Sequence, residues 1–255
     1  MSVLAVIVTY HTGGVLWDCL GEAVRQCDRV VVVCNGNPAE VERRLAGDRR
    51  WELLSGHGNI GFSSAVNRGA RGMREDHILV LNPDAVMQKG CVARLVEVAR
   101  GLPVPSVVGA RLVDERGVEL RGSRRRTLTP WTLFRGLNLH RRRLPPGPLD
   151  VGAVSGAAML LSRESWEALG GFDTHYFLHV EDLDICRRAG RAVFVPDAEV
   201  VHVGASSEVA RWVVETHKYM GFRRYFTRHH PWLGRLVLPA IFLATRGRRR
   251  RSHRR

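Results

Sequence analysis

Runs of consecutive apolar residues alternate with segments of helical periodicity in the N-terminal half of the chain. Residues 3–8 (VLAVIV) form one such run, which is typical of a strand buried on both faces of a parallel sheet. Further strands are predicted at residues 30–33, 51–54, 77–81 and 107–110, with amphipathic helices between them. This alternation predicts an α/β fold in which helices flank a doubly wound, Rossmann-like, mostly parallel sheet.

Regular patterning weakens over residues 112–150. This region holds a basic run at residues 121–126 and a proline-rich run at residues 144–148. We therefore expect a mobile flap or an excursion across the cleft. Its arginines either meet an anionic acceptor or form a solvated basic loop.

Order returns after residue 150. Residues 151–161 predict a small-residue turn followed by a strand, and residues 162–169 predict a capped helix. Two short strands, at residues 193–196 and 199–203, are predicted to pair with each other.

The net charge of +14 is distributed unevenly. Residues 246–255 carry seven arginines, and residues 231–244 before them form an apolar segment with Trp232 near one edge. That segment is shorter than the roughly 20 residues that span a bilayer, so we expect residues 231–255 to lie on an anionic membrane surface. The alternatives are a docking helix with a disordered basic tail, and nucleic-acid contact.

The length and apolar content suit one large α/β domain, or a domain with a small appendage. The five cysteines form no CxxC pair, which is typical of reduced thiols and favours a cytosolic compartment. No basic region precedes the apolar run at residues 3–8, so that run is predicted to be a strand and not a signal peptide.

Three carboxylates fall within residues 181–184, directly after an aromatic and mostly apolar stretch. Helical spacing begins at Asp182, arginines occupy the last turn, and Gly190 ends the helix. Glu181 and Asp182 are therefore expected at a helix N-terminus, where free backbone N–H groups keep a carboxylate ionised. Such a carboxylate suits general-base catalysis, and the same pair also fits an acidic N-cap on a surface helix.

Polar residues follow the predicted strands, and the ligands of doubly wound sheets bind at the carboxyl ends of strands. Thr9 and Tyr10 follow the first strand, and Cys34 and Asn35 follow the second. The loop at residues 56–69 follows the third strand and is rich in glycine. It matches neither a P-loop nor GxGxxG, so it predicts either a phosphate-holding loop or only a helix entry.

A candidate metal site follows the fourth strand. Asp84 comes just after Pro83, which ends the strand, and its carboxylate suits Mg²⁺ or Mn²⁺ bridged to phosphates. The alternative for Asp84 is an Asx turn. His202 lies inside a late predicted strand, and it is either a packed strand residue or, if Asp84 lies near it, a second metal ligand.

Eight short motifs follow one another along the chain. They are Val8-Thr9-Tyr10, Asn59-Ile60-Gly61-Phe62, Asn67-Arg68-Gly69, Leu81-Asn82-Pro83-Asp84-Ala85, Ser155-Gly156-Ala157, Gly170-Gly171-Phe172-Asp173, Glu181-Asp182-Leu183-Asp184 and Val201-His202. This ordered set resembles the inverting GT-A glycosyltransferases of family 2, and it is most similar to their bacterial rhamnosyltransferase-like branch. The resemblance implies a GT-A fold over residues 1–230, with a small antiparallel strand pair near the acceptor side.

The resemblance also implies roles for individual residues. Asp182 would be the catalytic base, with Glu181 beside it. Asp84 matches the position of the family's metal-binding DxD motif, and His202 matches its late metal ligand. The donor would be bound by Thr9, Tyr10, Cys34, Asn35, Asn59, Gly61, Asn67 and Asp84, and the acceptor would be bordered by Ser155, Gly156 and Ala157.

The implied reaction begins when Asp182 takes a proton from an acceptor hydroxyl. That hydroxyl attacks the anomeric carbon opposite the leaving nucleoside diphosphate, whose charge Mg²⁺ or Mn²⁺ neutralises. The sub-branch favours dTDP-L-rhamnose as donor and a polyprenyl-linked cell-surface glycan precursor as acceptor, which implies a peripheral location on the cytoplasmic face of the plasma membrane. Cys34 replaces the aspartate that usually contacts the base in this family, so a UDP- or GDP-sugar donor, or a secondary-metabolite acceptor, is the alternative.

Two other classes of protein compete with this hypothesis. A sugar-phosphate nucleotidyltransferase shares the α/β layout, but residues 9–14 do not match its GxGxRxxPxT motif. A basic nucleic-acid-binding α/β protein would explain the charge. In such a protein the arginines would accompany RNP-like aromatics or a recognition helix. Here they cluster in the tail and the flap without either pattern, so no nucleic-acid partner is expected.

Overall fold

The computed structural model describes residues 1–203 and 211–232. Its strands are β1 (Val3–Thr9), β2 (Arg29–Cys34), β3 (Glu52–Leu54), β4 (His77–Leu81), β5 (Ala85–Met87), β6 (Val107–Val113), β7 (Arg124–Arg125), β8 (Leu149–Val151), β9 (Ala153–Val154), β10 (Ala158–Ser162) and β11 (Ala192–His202). Its helices are α1 (Leu16–Gln26), α2 (Ala39–Ala46), α3 (Phe62–Gly69), α4 (Cys91–Arg100), α5 (Pro130–Arg135), α6 (Arg163–Leu169), α7 (Glu181–Ala189) and α8 (Arg211–His229).

One large sheet organises these elements, in the strand order β3-β2-β1-β4-β10-β6-β11-β5, with β8 beside β11. β1 is parallel to β2 and β4, β2 is parallel to β3, and β6 is parallel to β11. β10 is antiparallel to both of its neighbours, β4 and β6. The predicted α/β fold with a mostly parallel sheet flanked by helices is confirmed, and the antiparallel insertion of β10 adds to it.

Helices cover both faces of this sheet. On one face α1 and α4 contribute their apolar stripes to a core that includes Leu16, Leu20, Leu95 and Val96. On the other face α3, α6, α7 and α8 form a second core, which includes Val66, Trp166, Ile185 and Phe226. β1 and β4 are buried along their whole length because both of their faces are covered.

A second, two-stranded sheet lies against the main one. It consists of β7 and β9, which are antiparallel. β9 approaches β6 so closely that a Cβ added at Gly109 would overlap the side chain of Val154. The glycine is required here because it lets β9, and the turn that follows it, lie directly on the sheet.

The predicted pairing of residues 193–196 with residues 199–203 is wrong. Both segments belong to the single strand β11, which stays parallel to β6 across a register shift between Val195 and Glu199. Pro196 lies in this shift. It has no N–H to donate to the sheet, and the irregular pairing at this point tolerates that loss while the chain continues in the same direction. The small antiparallel pair of the fold is β7 with β9 instead.

The weakly patterned residues 112–150 are partly built into the fold, since they contain β7, α5 and most of β8. Arg124 is only 2% exposed and forms an ion pair of 2.8 Å with Glu119. This arginine is therefore a structural residue and does not belong to a solvated loop. The mobility predicted for the segment stays a prediction.

α8 was not predicted from the sequence, because its apolar positions follow no clear stripe. It buries Tyr225 and Phe226 in the second core. Within residues 1–203 and 211–232, no helix is long and apolar enough to cross a membrane. Most of the predicted membrane-associating tail, residues 233–255, lies outside the described residues, so the division of the chain at residue 230 stays a prediction.

Candidate active site

Asp84 and His202 lie next to each other at the carboxyl end of β4. Asp84 occupies the turn between β4 and β5, and the antiparallel register of β5 with β11 sets Ala85 opposite His202. Nε2 of His202 is 3.1 Å from Oδ1 of Asp84 and 3.3 Å from the amide nitrogen of Asn82. The two residues that the sequence singled out as metal ligands are therefore brought together by the fold.

The carboxylate of Asp84 and the imidazole of His202 are suitable ligands for a divalent cation. Within residues 1–203 and 211–232, no group of three or more His, Cys, Asp or Glu side chains could hold a metal ion. One carboxylate and one imidazole still fit Mg²⁺ or Mn²⁺, because these ions can take the rest of their coordination from phosphate oxygens and water.

A strained turn places the carboxylates of α7. His179 and Val180, the two residues before the helix, have φ angles of +67° and +74°. This left-handed conformation is rare for residues other than glycine, and rarest for a β-branched one. Gly221 of α8 packs on the turn, since a Cβ added to it would lie 2.8 Å from the carbonyl oxygen of His179. The fold therefore fixes the start of α7 at an energetic cost, as often happens at functional sites.

Asp182 is held by three separate elements. Nη2 of Arg125 in β7 is 2.6 Å from its Oδ2, and the backbone N–H groups of Gly156 and Leu183 donate to it at 3.2 and 2.8 Å. Burial alone would raise the pKa of Asp182, but the charge and hydrogen bonds of Arg125, together with the two N–H groups, hold it below its ordinary value. Asp182 is therefore ionised at neutral pH, as a general base must be.

Glu181 is in the opposite protonation state. It is 7% exposed, and its Oε2 has no hydrogen-bond partner among the described residues. Burial, and then the charge of Asp182, raise the pKa of Glu181 to about 8. At neutral pH the pair therefore carries one negative charge, on Asp182, and one proton, on Glu181.

The turn between β9 and β10 was predicted to border the acceptor. It links the two carboxyl groups at the start of α7 to the candidate metal site of Asp84 and His202. Gly156 lies against the base, since a Cβ added to it would be 3.3 Å from Cβ of Asp182. The carbonyl oxygen of Ala157 accepts a hydrogen bond of 2.9 Å from the backbone N–H of Asn82. Because Asn82 also contacts His202, a continuous chain of contacts runs from the aspartate to the histidine.

The predicted donor-binding residues lie at the carboxyl ends of β1 and β2 and at the entry to α3. Thr9 accepts a hydrogen bond of 2.7 Å from the amide of Asn37. The amide of Asn35 donates to the carbonyl oxygen of Gly61 at 3.2 Å, and Asn59 accepts from the N–H of the same glycine at 3.1 Å. These contacts join the first, second and third loops into one rim.

Two further predicted donor residues have different surroundings. Tyr10 is half-buried on this rim and packs edge-on against His11. The side-chain amide of Asn67 donates a hydrogen bond of 2.8 Å to the carbonyl oxygen of Phe172 and accepts one of 2.9 Å from the N–H of the same residue. This side chain therefore joins α3 to the loop before α7. Beside the rim, a cavity of about 270 Å³ lies between the loop after β1 and helix α2, and its lining includes Thr12 and Arg44.

The structure brings a carboxylate to Cys34, the position where the resemblance leads one to expect aspartate. Oε1 of Glu42, from α2, is 3.2 Å from the Cys34 sulfur and accepts the N–H of Asn37, also at 3.2 Å. Sequence reasoning missed Glu42, as it missed Arg125. The sequence signal for Glu42 was an acidic residue in the helix that follows the second strand, and the signal for Arg125 was its position in a basic run. Neither signal is specific.

A mostly parallel sheet flanked by helices, with polar groups along one rim, is also the fold of known glycosyltransferase structures. The structure of GalNAc-T7 with UDP, GalNAc and Mn²⁺ matches with a TM-score of 0.64 at 14% identity, over 89% of this chain and 47% of that one. The mannosyltransferase PcManGT of Pyrobaculum calidifontis, in complex with GDP-Man and Mn²⁺, matches with a TM-score of 0.60 at 18% identity, over 96% of this chain and 73% of that one. At these identities the likeness shows the fold alone, and the predicted GT-A fold is confirmed.

The chain belongs to the glycosyltransferase-like family 2, whose family model matches residues 2–222. It is 30% identical over 240 residues to the N-acetylglucosaminyl-diphospho-decaprenol L-rhamnosyltransferase of Mycobacterium tuberculosis, a match that covers 79% of this chain and 76% of the relative. The predicted family and its rhamnosyltransferase-like branch are therefore confirmed.

Proposed function

We propose that this glycosyltransferase is inverting and metal-dependent, and that it moves L-rhamnose from dTDP-L-rhamnose to a hydroxyl group of a polyprenyl-linked glycan precursor. The observation that carries the proposal is the chain of contacts that joins the ionised Asp182 to Asp84 and His202 at one rim. The name of the Mycobacterium tuberculosis relative supports both the sugar and the lipid-linked acceptor.

In the proposed reaction Asp182 receives the proton of the acceptor hydroxyl. Its carboxylate already accepts four hydrogen bonds, two from Arg125 and one each from the N–H groups of Gly156 and Leu183. The longest of them, 3.4 Å from Nη1 of Arg125 to Oδ1, is the one that the acceptor hydroxyl would replace. The acceptor oxygen uses its electron pair to bond the anomeric carbon, while the bond from that carbon to the diphosphate breaks on the opposite face. Inversion follows from this single displacement.

Asp84 and His202 would hold the cation that binds the donor diphosphate. A bound Mg²⁺ or Mn²⁺ supplies positive charge that stabilises the diphosphate as it leaves. Arg125 keeps Asp182 ionised and oriented until the acceptor arrives, and the uncharged Glu181 adds no second negative charge beside it. The charges of the site are thus set before the reaction begins, which lowers the cost of reorganisation.

We propose that the protein acts at the cytoplasmic face of the plasma membrane, to which it binds peripherally. The support for it is the lipid-linked substrate in the relative's name and the basic, apolar composition of residues 231–255. Removal of residues 246–255 should weaken binding to anionic vesicles and leave turnover on a soluble acceptor intact. Unchanged vesicle binding would exclude the tail as an anchor.

The test of the proposed function compares the wild-type protein with Asp182→Asn and a control, Asp150→Asn, which alters an exposed carboxylate. Each is incubated with dTDP-L-rhamnose, Mn²⁺ and a polyprenyl-diphosphate-linked N-acetylglucosamine. Loss of the base should reduce transfer by about 10²- to 10⁴-fold, while calorimetry should find donor affinity nearly unchanged. The control should transfer rhamnose normally.

Two results would refute parts of the proposal. If Asp182→Asn loses donor affinity instead of turnover, the aspartate is not the base. If UDP- or GDP-sugars replace dTDP-L-rhamnose without loss of rate, the donor assignment is wrong. NMR of the product settles the stereochemistry, because inversion gives the anomeric configuration opposite to that of the donor.

A further inference from the structure

The segment between Glu119 and Asp150 has an unusual charge composition. It contains eight arginines and neither aspartate nor glutamate. Two of these arginines are used inside the fold, since Arg124 pairs with Glu119 and Arg125 pairs with Asp182. Five of the other six are exposed, at positions 121, 135, 141, 142 and 143, and Arg126 is half-buried. The segment therefore presents a concentrated positive charge to its surroundings.

The buried Arg124 gives this basic segment a defined shape. Its guanidinium donates to both carboxylate oxygens of Glu119, at 2.8 and 3.0 Å, and to the carbonyl oxygen of Arg142 at 2.8 Å. It also lies 5.1 Å from the centre of the Phe194 ring in β11. The loop that carries Arg141 to Arg143 is thus attached through its backbone to the protein core, while its side chains face outward.

A large aromatic side chain accompanies these charges. Trp131, in the first turn of α5, is 60% exposed, and the guanidinium of Arg135 lies 4.4 Å from the centre of its ring. Trp232, which is 83% exposed, follows α8, and His230 just before it contacts the carbonyl oxygen of Leu128 at 3.4 Å. The end of α8 therefore lies beside the start of α5. An exposed tryptophan in an arginine-rich segment is the composition of a protein surface that lies in a lipid headgroup region.

We propose that Trp131, Arg135, Arg141, Arg142 and Arg143 form a docking surface for an anionic lipid bilayer. The positive charge attracts the headgroups of the bilayer, and the indole enters the boundary below them. A single-stranded nucleic acid fits this surface less well, because such sites stack successive bases on several aromatic side chains and Trp131 is the one aromatic residue among these five. None of these five residues belongs to the C-terminal segment of residues 231–255.

This docking would also orient the active site. The same segment carries Arg125 on its inner side, where it contacts Asp182 at 2.6 Å. A bilayer bound to the outer side would therefore lie close to the base. This last point rests on the proposed function, since it concerns a lipid-linked acceptor, whereas the docking itself does not.

The test uses the full chain and vesicles of phosphatidylcholine with about 30% phosphatidylglycerol. The docking variant combines Trp131→Ala with Arg141→Gln, Arg142→Gln and Arg143→Gln. The control variant combines Trp212→Ala, another exposed tryptophan, with Arg43→Gln, Arg49→Gln and Arg71→Gln, which are exposed arginines elsewhere. Net charge and tail are identical in the two variants, so their difference reports the position of the charges. Thermal unfolding of each variant shows that it is folded.

The docking variant should bind these vesicles about tenfold to 100-fold more weakly than the wild-type protein, and the control should lose much less. Equal losses in the two variants would overturn the proposal, because binding would then follow net charge alone. A docking variant that binds vesicles normally but no longer binds single-stranded DNA of random sequence would overturn it in favour of a nucleic-acid surface. Both readouts are independent of sugar transfer, so failure of the proposed function would leave them unchanged.

Discussion

Replacement of Glu181 by glutamine should change how the stability of the protein depends on pH. Glu181 is 7% exposed and lies next to the ionised Asp182, and its pKa is raised to about 8. Glutamine has nearly the same shape as the protonated glutamic acid but has no proton to lose. The variant therefore isolates the cost of keeping this carboxyl group uncharged in the folded protein.

The direction follows from the raised pKa. Below the ordinary value of 4.5 both the folded and the unfolded protein keep the proton, so stability is fully present. Between 4.5 and about 8 only the unfolded state loses it, and stability falls as the pH rises through this window. The difference between the two pKa values corresponds to about 5 kcal/mol at 1.36 kcal/mol per pH unit. Because Glu181 and Asp182 titrate as an interacting pair, we expect a measured loss of about 2–5 kcal/mol.

The assay is urea unfolding of the wild-type protein, Glu181→Gln and Glu115→Gln at about pH 5 and about pH 8.5. Glu115 is exposed, so its substitution controls for the loss of a carboxyl group as such. The free energy of unfolding of Glu181→Gln, relative to the wild-type value, should rise by about 2–5 kcal/mol between the two pH values. A constant difference between the two proteins would refute the reasoning, because Glu181 would then have an ordinary pKa.

Three further changes test other parts of the structure. Arg124→Met should lower the free energy of unfolding by about 3–5 kcal/mol, because it leaves Glu119 buried without its partner; a loss below 1 kcal/mol would show that the pair contributes little. Gly109→Ala should cost about 1–3 kcal/mol because the added methyl group overlaps Val154, and an unchanged melting temperature would contradict that close approach. His202→Ala should raise the Mn²⁺ concentration for half-maximal transfer by about tenfold or more, whereas an unaltered Mn²⁺ dependence would remove the histidine from the metal site.

The local pattern of apolar and polar residues predicted those strands and helices whose surroundings are uniform along their length. β1 and β4 are buried on both faces, so each reads as a continuous apolar run. α1 and α6 were predicted from the spacing of apolar positions and from a capping serine, and the side chain of Ser162 does accept a hydrogen bond from Ser165. In these cases the physical cause of the structure lies within a few neighbouring residues.

Prediction failed where a distant partner decides the outcome. Residues 193–203 contain a proline and were interpreted as two strands, yet β6 holds them as one strand across an irregularity. The helix α8 is stabilised by packing of Tyr225 and Phe226 into a core supplied by other elements, which its own scattered apolar positions do not reveal. Glu42 beside Cys34 belongs to the same category, because the contact depends on how α2 returns over β2.

The sequence by itself determined the fold class, the family and the residue types available to the active site, because burial pattern and motif order are properties of the chain. Only the tertiary structure decided the state in which those residues exist. Asp182 is ionised because Arg125 reaches it from a segment 57 positions away, and Glu181 is protonated because the fold buries it next to that charge. The proton affinity of a carboxyl group depends on distances and on exclusion of water, and these are established only when the whole chain is packed.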